Sequence, residues 1–309
     1  MTKTLDMLGL GEALVEFNQV NPGQPVYRRG HGGDTSNAMI AAARQGARAG
    51  YWTALGKDEF GDELMALWAQ EGVDAGRVPR HPEAPTGIYF VSHGAAGHVF
   101  TYRRKGSAAS LMRPEDLPAD LLAATRALHV SAISQAISPN AAETVEAAMT
   151  AARGAGALVA YDTNLRLRLW DIETARATIH RALRLADIVL PSLEEAQQLT
   201  GLTAPDAICD FYLGLGPRLV ALKLGAEGAL IADGERRSRI APHVVTAVDA
   251  TGAGDAFDGS FVWRLLSGDE PNRAGRYAAT AAALSTTGFG AVAPIPTRAQ
   301  VEAAMGERR

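Results

Sequence analysis

The segment Asp249-Ala250-Thr251-Gly252-Ala253-Gly254-Asp255 places one carboxylate at the end of a run of small residues. Apolar side chains at three- and four-residue spacing follow it, which predicts a helix over Ala253–Leu266 with Thr251 as its cap. Gly252 and Gly254 lack side chains, so the first N–H groups of that helix are open to an anion. An aspartate inside an anion site is electrostatically unusual unless it handles a proton or a metal. The alternative is an ordinary helix start, which an aspartate stabilises by about 1 kcal/mol or less.

Length and composition argue against several classes of protein. The 309 residues suffice for one large α/β domain or two ordinary domains, and 47% hydrophobic residues are enough for a packed core. A net charge of -4 without a basic tract argues against a nucleic-acid partner. The single cysteine, Cys209, excludes an internal disulfide and fits a reducing compartment. The first residues do not resemble a signal peptide and no 18-residue apolar span occurs, so we expect a cytoplasmic protein without a membrane partner.

Strands and helices are predicted to alternate in the second half of the chain. Short apolar runs predict buried strands, and periodic segments between them predict helices: strands at Ala127–Ser131, Leu158–Asp162, Asp187–Leu190 and Leu219–Leu224, and helices at Asn140–Arg153, Ile172–Leu185 and Leu193–Leu199. This alternation predicts an α/β fold in which helices cover both faces of a mostly parallel sheet. Ligands of such sheets bind beyond the carboxyl ends of the strands, so Asn164, Arg166 and Ser192 are candidate site residues.

Two segments, Glu12–Tyr27 and Thr86–Tyr102, break this alternation. Both have an extended pattern interrupted by Gly and Pro, and a turn at Gly94–Gly97 separates two strand-like runs in the second. We predict that the two segments form a small β-layer that projects from the body. The corresponding division is a β-lid of residues 12–37 and 86–105 on a body of residues 1–11, 38–85 and 106–309.

Common phosphate-binding motifs are missing from the sequence. It contains no Gly-x-x-x-x-Gly-Lys-Ser/Thr motif, and the dinucleotide fingerprint that begins at Gly30 fails at Thr35. Four other patterns accompany Asp255: Gly32-Gly33-Asp34-Thr35-Ser36-Asn37 with Gly56-Lys57-Asp58-Glu59-Phe60-Gly61 further on; Tyr102-Arg103-Arg104-Lys105-Gly106-Ser107-Ala108; Asp162-Thr163-Asn164-Leu165-Arg166 with Leu169-Trp170; and Pro191-Ser192-Leu193-Glu194-Glu195.

With these motifs the chain resembles, from end to end, the ribokinase-like (PfkB) family of sugar kinases. The Tyr-x-Arg-Lys-Gly-Ser-Ala and Asp-x-Asn-x-Arg-x-x-Leu-Trp patterns are most like those of 2-keto-3-deoxygluconate kinases. The resemblance implies a three-layer α/β/α body with a small β-sheet lid. It also implies ATP- and Mg²⁺-dependent phosphorylation of the terminal (C6) hydroxyl of a keto-deoxy sugar acid, with Asp255 as base and Gly252, Ala253 and Gly254 as anion hole. The helix N-terminus is expected to lower the pKa of Asp255 and keep it ionised.

The resemblance also implies a set of sugar-binding residues: Gly33, Asn37, Tyr89, Tyr102, Arg104 and Arg166. The two arginines would bind the carboxylate or keto end, because a guanidinium matches planar oxygens. The tyrosines and the asparagine would bind hydroxyls, and the glycine would let the sugar approach the backbone. The alternatives are that Arg104 belongs to a solvated basic run, that Arg166 pairs with Asp162 or Asp171, and that Asn37 caps a helix.

A second set of residues would bind the nucleotide: Asn164, Ser192, Lys223, Gly225, Glu227, Gly228, Gly252 and Gly254. Glu195 matches the glutamate that the family links to Mg²⁺, and Asp249 and Thr251 lie where a monovalent cation such as K⁺ would bind. Ser192 departs from most of the family, which has Asn there.

Two other functions stay open from the sequence. The nearest is a different PfkB-type kinase, for fructose, tagatose or a nucleoside. The other is a sugar-binding sensor on an inactive kinase fold, against which Asp255 and the intact Gly-Ala-Gly turn argue. Apolar residues of the small sheet, such as Ile88 and Val99, predict the pairing of two lids in a homodimer.

Overall fold

A mostly parallel sheet lies at the centre of the computed structural model, which describes residues 3–94 and 97–306. In chain order its strands and those of the smaller sheets are β1 (Leu5–Leu10), β2 (Leu14–Gln19), β3 (Tyr27–Gly32), β4 (Ala49–Trp52), β5 (Leu55–Gly56), β6 (Arg80–His81), β7 (Ile88–Gly94), β8 (Gly97–Arg103), β9 (Thr125–Ser131), β10 (Leu158–Asp162), β11 (Ile188–Val189), β12 (Leu219–Lys223), β13 (Ala229–Asp233) and β14 (Arg237–Ile240). The central sheet has the order β14-β13-β12-β11-β10-β9-β1-β4. Its strands pair in parallel from β4 to β12, and β13 and β14 add an antiparallel edge.

Helices cover both faces of the central sheet. They are α1 (Asp34–Arg44), α2 (Glu59–Glu71), α3 (Ala119–Ala124), α4 (Ala132–Ala136), α5 (Pro139–Gly154), α6 (Ile172–Leu183), α7 (Leu193–Thr200), α8 (Pro205–Leu215), α9 (Ala253–Leu266), α10 (Pro271–Ser285) and α11 (Arg298–Ala304). Neighbouring residues of β1 point to opposite faces, so Met7 joins the core under α1, α9 and α10 while Leu8 joins the core under α5, α6 and α8. The two separate cores produce the three-layer α/β/α body.

A smaller sheet of order β3-β2-β7-β8 lies beside the body. β2 pairs antiparallel with β3 and parallel with β7, and β7 and β8 form an antiparallel hairpin. One face packs on α2, where Phe17 stacks on Phe90 (5.1 Å between ring centroids) and meets the edge of Phe60 (5.9 Å). The other face, called the Tyr89 face below, carries Glu16, Tyr89 and Tyr102.

The predicted fold class is confirmed, and several elements lie where their patterns place them. β10 and α9 have the predicted bounds, whereas β11 is shorter than predicted and the β13–β14 hairpin was not predicted. Residues 34–37, placed in the lid by the sequence pattern, form the first turn of α1, because Gly33 (φ 119°) turns the chain out of β3. Within the described residues, no helix combines the length and apolar character needed to cross a membrane.

Candidate active site

Helices α1 and α9 meet near their N-terminal ends, and this contact holds the candidate base. Asn37 Nδ2 donates a hydrogen bond to Asp255 Oδ2 at 2.8 Å. The helices approach closely at Gly259, where an added Cβ would lie 2.0 Å from the carbonyl oxygen of Ala38. Asn37 Oδ1 is buried and has no hydrogen-bond partner among the described residues, so it is available to a hydroxyl group of a bound molecule. The cap of α1 is Gly33, and Asn37 therefore orients the carboxylate instead of capping the helix.

The turn before α9 depends on Gly252. This residue has a left-handed conformation (φ 77°), and a Cβ there would lie 2.8 Å from the carbonyl oxygen of Ala291. The prediction that Thr251 caps α9 is wrong. Its hydroxyl and N–H both donate to Asp249 Oδ1, at 2.7 and 2.9 Å, because a side-chain acceptor stands two residues earlier.

Some backbone N–H groups of this turn donate within the protein, and others are open to a ligand. Ala253, expected in the anion hole, donates its N–H to the carbonyl of Ala250 at 3.2 Å. No side chain of the described residues caps α9 at Gly252, so the next N–H groups, those of Gly254 and Asp255, stay open to an anion at the positive end of the helix.

The pKa of Asp255 contradicts the sequence-based expectation. The residue keeps some solvent contact at the cleft, but protein groups surround its carboxylate. Burial and the nearby Asp34 carboxylate raise the pKa of Asp255 to about 8, against the lowering effect of the hydrogen bond from Asn37. The expectation that the helix N-terminus keeps this carboxylate ionised is therefore wrong, because loss of hydration and a like charge outweigh the helix end.

Asp34 lies one helical turn before Asn37 on α1. Its Oδ1 accepts the N–H of Thr35 at 2.9 Å, and its Oδ2 accepts Asn164 Nδ2 at 2.8 Å. The N–H of Asn164 in turn donates to Asp162 Oδ1 at 3.2 Å. Asn164, expected at the nucleotide, thus joins the start of α1 to the end of β10.

Lys223, at the end of β12, lies close to the anion-binding turn. Its Nζ contacts Asp162 at 3.2 Å and both carboxylate oxygens of Asp258 at 3.0 Å. Burial disfavours the charged ammonium, but the two carboxylates outweigh burial and raise the pKa of Lys223 above its usual value. A Cβ on Gly254 would lie 3.6 Å from this ammonium group. Asp258 was not predicted as a site residue, although a second aspartate three positions after Asp255 is a readable signal.

The Tyr89 face brings the predicted aromatic residues together. The rings of Tyr89 and Tyr102 stack at 5.5 Å, and the Tyr89 hydroxyl donates to Glu16 Oε2 at 2.5 Å. Burial first, and then the carboxylates of Glu16 and Asp255 among other groups, raise the pKa of Tyr89. The Tyr89 face is therefore within electrostatic reach of the candidate base.

Arg104 lies at the end of this face in a buried ion pair. Its Nε and Nη2 contact Glu12 Oε2 at 2.6 and 2.5 Å, and Ser107 Oγ donates to Glu12 Oε1 at 2.5 Å. The side chain of Arg104 is 11% exposed and that of Glu12 only 1%. Its neighbours Arg103 and Lys105 are exposed, so Arg104 is not part of a solvated basic run.

Arg166 pairs with a residue that the sequence did not indicate as its partner. Its Nη1 donates to Glu195 Oε1 at 2.9 Å and to its neighbouring carbonyl at Leu165, at 2.8 Å. Neither Asp162 nor Asp171 is the partner. Ser192 begins α7, but its side chain makes no capping hydrogen bond there.

A cavity of about 450 Å³ lies on the other side of the anion-binding turn. Of the residues that the resemblance assigns to the nucleotide, Lys223, Gly225 and Gly228 line this cavity, whereas Glu227 is exposed outside it. Gly228 has φ 89°, and a Cβ there would lie 2.1 Å from the carbonyl of Ile240, so the chain needs glycine at this position. Most of the wall is apolar and was not predicted: Pro242, Val244, Val245, Ala247, Phe257, Ala279, Ala282 and Ala283. An apolar slot next to an anion-binding helix start suits a flat base joined to phosphates.

A second, larger groove of about 810 Å³ separates the small sheet from the body. Glu16, Val91 and Phe100 line it on the side of the small sheet, and residues 248–251 and 289–293 line it on the side of the body. A molecule in this groove would touch both parts of the chain.

Comparison with known proteins agrees with these features. Residues 6–298 match the model of the pfkB family of carbohydrate kinases. The chain is 36% identical over 290 residues to a 2-dehydro-3-deoxygluconokinase from Thermoproteus tenax, covering 91% of this chain and 88% of that protein. It is 32% identical over 313 residues to a 2-dehydro-3-deoxygluconokinase from Bacillus subtilis (strain 168), covering 99% and 97%. It is also 32% identical over 313 residues to the probable fructokinase-4 of Arabidopsis thaliana, covering 96% and 95%.

Solved structures resemble the whole chain. A PfkB protein from Polaromonas sp. JS666 superposes with a TM-score of 0.89 at 34% identity and covers 97% of this chain and 100% of its own. A putative ribokinase II from E. coli in complex with ATP and Mg²⁺ gives 0.91 at 26% identity, with 98% and 100% covered. A fructokinase double mutant from Vibrio cholerae O395 with fructose, ADP and potassium ion bound gives 0.86 at 30% identity, with 98% and 99% covered. The carboxylate at the glycine-rich helix start, the apolar slot beside it and these matches agree, and the chain belongs to the pfkB family of carbohydrate kinases as an ATP-dependent sugar kinase.

Proposed function

We propose that this kinase transfers the γ-phosphoryl group of ATP to the terminal (C6) hydroxyl of 2-keto-3-deoxygluconate, also called 2-dehydro-3-deoxygluconate. The observation that carries the proposal is the buried guanidinium of Arg104, which lies 5.6 Å from the ring centroid of Tyr102. A buried guanidinium at the end of the Tyr89 face suits a substrate with a carboxylate better than a neutral sugar. Two of the relatives described above carry the name of this activity.

The other residues proposed to bind the sugar suit a sugar acid that lies along the Tyr89 face. Gly33 brings the backbone to the sugar, and Asn37 Oδ1 accepts a hydrogen bond from a sugar hydroxyl while its NH₂ group holds Asp255. Tyr89 and Tyr102 provide ring surface and hydroxyl groups. Arg166 binds the carboxylate together with Arg104 once it leaves Glu195.

Phosphoryl transfer then uses a small number of groups of the chain. Asp255 accepts the proton of the C6 hydroxyl while that oxygen forms a bond to the γ-phosphorus. The bond from the γ-phosphorus to the bridging oxygen breaks, and ADP leaves with the electron pair. The N–H groups of Gly252, Gly254 and Asp255 stabilise charge on the transferred group, and the Lys223 ammonium adds positive charge near the turn.

The Mg²⁺ ion that accompanies ATP would bind beside Glu195. Burial and the Asp162 carboxylate raise the pKa of Glu195, an arrangement that a divalent cation would stabilise. Glu195 would therefore hold Mg²⁺ through water, and bound Mg²⁺ offsets the charge of the phosphates. Asp249 joins the anion turn to the N–H of Gly290 (2.9 Å), and we place a monovalent cation such as K⁺ beside Asp249 and Thr251.

One observation favours a second candidate, a kinase for fructose or another neutral ketose. Glu12 offsets the charge of Arg104, so the pair as a whole is neutral and would also suit a hydroxyl or keto group. The similarity to a probable fructokinase agrees with this alternative.

An assay of ADP release separates the two candidates. We expect kcat/KM for 2-keto-3-deoxygluconate to exceed that for fructose, tagatose or a nucleoside by about 10²-fold or more, the value of a buried charge pair. Arg104→Ala should lower kcat/KM for the acid by an amount equal to about 2–5 kcal/mol of lost transition-state stabilisation, and should leave KM for ATP unchanged. Its exposed neighbour gives the matched control, Arg103→Ala, which should behave as wild type. Equal or better turnover of fructose would overturn the assignment.

The small sheet also supports a homodimer. Val20, Val26 and Val99 expose 45%, 53% and 51% of their surface there. Sedimentation over a range of protein concentrations should show a dimer, and Val99→Asp should weaken it; a monomer at all concentrations would contradict the proposal.

A further inference from the structure

Asp34 is a buried charged group of the cleft to which the proposed function gives no role. It is 9% exposed and begins α1, three residues before Asn37. The N–H of Thr35 and the amide of Asn164 each donate to one of its carboxylate oxygens, at 2.9 and 2.8 Å. The side chain is thus fixed on both oxygens.

Among the described residues, the carboxylates around Asp255 outnumber the cations that pair with them. The groups that face it are Asp34 from α1, Asp162 from β10, Lys223 from β12, Asp258 from α9 itself and the Tyr89 hydroxyl from β7. Lys223 is already paired with Asp162 and Asp258. The positive charge of Arg166 lowers the pKa of Asp34, but its guanidinium forms an ion pair with Glu195. Asp34, one helical turn from the Asn37 that bonds Asp255, and Asp255 itself therefore have no cation of their own among the described residues.

Hydrogen bonding decides which of the two carboxylates keeps the proton. Burial raises the pKa of Asp34 as well, yet hydrogen bonds from the Ser131 side chain, the N–H of Thr35 and the amide of Asn164 favour its ionised form. Asp255 receives one side-chain hydrogen bond, from Asn37. When the pair shares one proton, Asp255 holds it, and the charge of Asp34 favours that state.

We propose that Asp34 is a positioning residue for the reaction: its carboxylate, fixed by Asn164, acts through space on Asp255 and makes Asp255 a stronger proton acceptor. The inference rests on the proposed role of Asp255 as base. Asp34 needs no contact with the sugar. A base whose proton affinity lies near the working pH takes a proton from an alcohol more readily than an ordinary carboxylate does.

The first test is the pH profile of kcat/KM in Asp34→Asn. We expect its acid limb to move to lower pH by about one unit or more, with KM at high pH within about twofold of wild type. Asp34→Glu keeps the charge and should keep the limb near the wild-type position. Asp206→Asn removes an exposed aspartate in the first turn of α8 and controls for net charge. If Asp34→Asn does not fold, Asp34→Ser makes the same comparison, because serine suits the first turn of a helix.

The second test follows Asp255 itself and needs no sugar. With ¹³C-labelled aspartate and Asp255→Asn for assignment, the carboxyl carbon of Asp255 should titrate at lower pH in Asp34→Asn than in wild type. The same titration in both proteins would overturn the inference, as would a rise of more than tenfold in KM at every pH without a shift of the limb. A wild-type protein that phosphorylates no sugar acid would defeat the proposed substrate, while this titration would still decide the role of Asp34.

Discussion

Asp255 combines two demands that oppose each other. As the proposed base it must lose its proton, yet burial and Asp34 make the charged form costly and raise its pKa to about 8. Activity should therefore increase as pH rises through about 8. Stability should change in the opposite direction, because between about pH 4 and pH 8 the folded state binds this proton and the unfolded state does not.

Asp255→Asn should separate these two effects. We expect kcat to fall by roughly 10²–10⁴-fold, the usual loss for a positioned proton acceptor. The Tm of the variant relative to wild type should increase as pH is raised from 5 to 9, because the variant has no buried charge to ionise. Turnover above a tenth of wild type would show that Asp255 is not the base, and a Tm difference independent of pH would contradict the raised pKa.

Replacing only one member of the buried Glu12–Arg104 ion pair should destabilise the folded protein. Glu12→Ala leaves a guanidinium without its partner, and we expect a loss of about 3–5 kcal/mol in the free energy of unfolding. The double variant Glu12→Leu with Arg104→Met removes both charges and should lose less than Glu12→Ala alone. Urea unfolding measures all three proteins. A loss below about 1 kcal/mol in Glu12→Ala would mean that solvent reaches the pair.

At the scale of elements, the crossing of α1 and α9 decides how the base is held. Gly259 permits the close approach, and the hydrogen bond from Asn37 to Asp255 lies one helical turn away from it. Gly259→Ala should push the helices apart, lower kcat by about tenfold or more, and destabilise the fold by about 1–3 kcal/mol. Gly214→Ala in α8 is the matched control, because a Cβ there meets no atom within 4 Å. It should be neutral or slightly stabilising, as alanine favours helices. Full activity in Gly259→Ala would show that the crossing does not position the base.

Local sequence patterns predicted elements better than partners. α9 and β10 have their predicted bounds because apolar spacing and a glycine turn are local signals. The partners of Arg104 and Arg166 lie 92 and 29 residues away along the chain, so no local pattern indicated Glu12 or Glu195. The pKa of Asp255 depends on Asp34 and on burial, which only the folded arrangement supplies. The alanines of α10 that line the cavity of about 450 Å³ carry no chemical signal in the sequence.

For the whole molecule, the groove between the small sheet and the body predicts a closing motion. Sugar in this groove would touch both parts, so binding should draw them together and exclude water from the γ-phosphate. Hydrogen exchange should show greater protection in 12–27 and 86–102 when sugar is bound. Protection confined to α9, with no change in the two segments of the small sheet, would contradict the lid model.

The order of the site residues along the chain has an evolutionary consequence. Of the residues proposed to bind the sugar, Gly33, Asn37, Tyr89 and Arg104 lie in the first 107 residues, whereas the cavity proposed for the nucleotide is lined by residues between 223 and 286. Most of the residues proposed to bind the sugar are thus encoded in about the first third of the gene and the walls of the cavity proposed for the nucleotide in the last third, with Arg166 and Glu195 between them. Mutation or recombination in the first third can change which sugar is phosphorylated while the donor machinery is inherited intact. Related enzymes can therefore evolve new sugar specificities while they keep the same phosphoryl-transfer reaction.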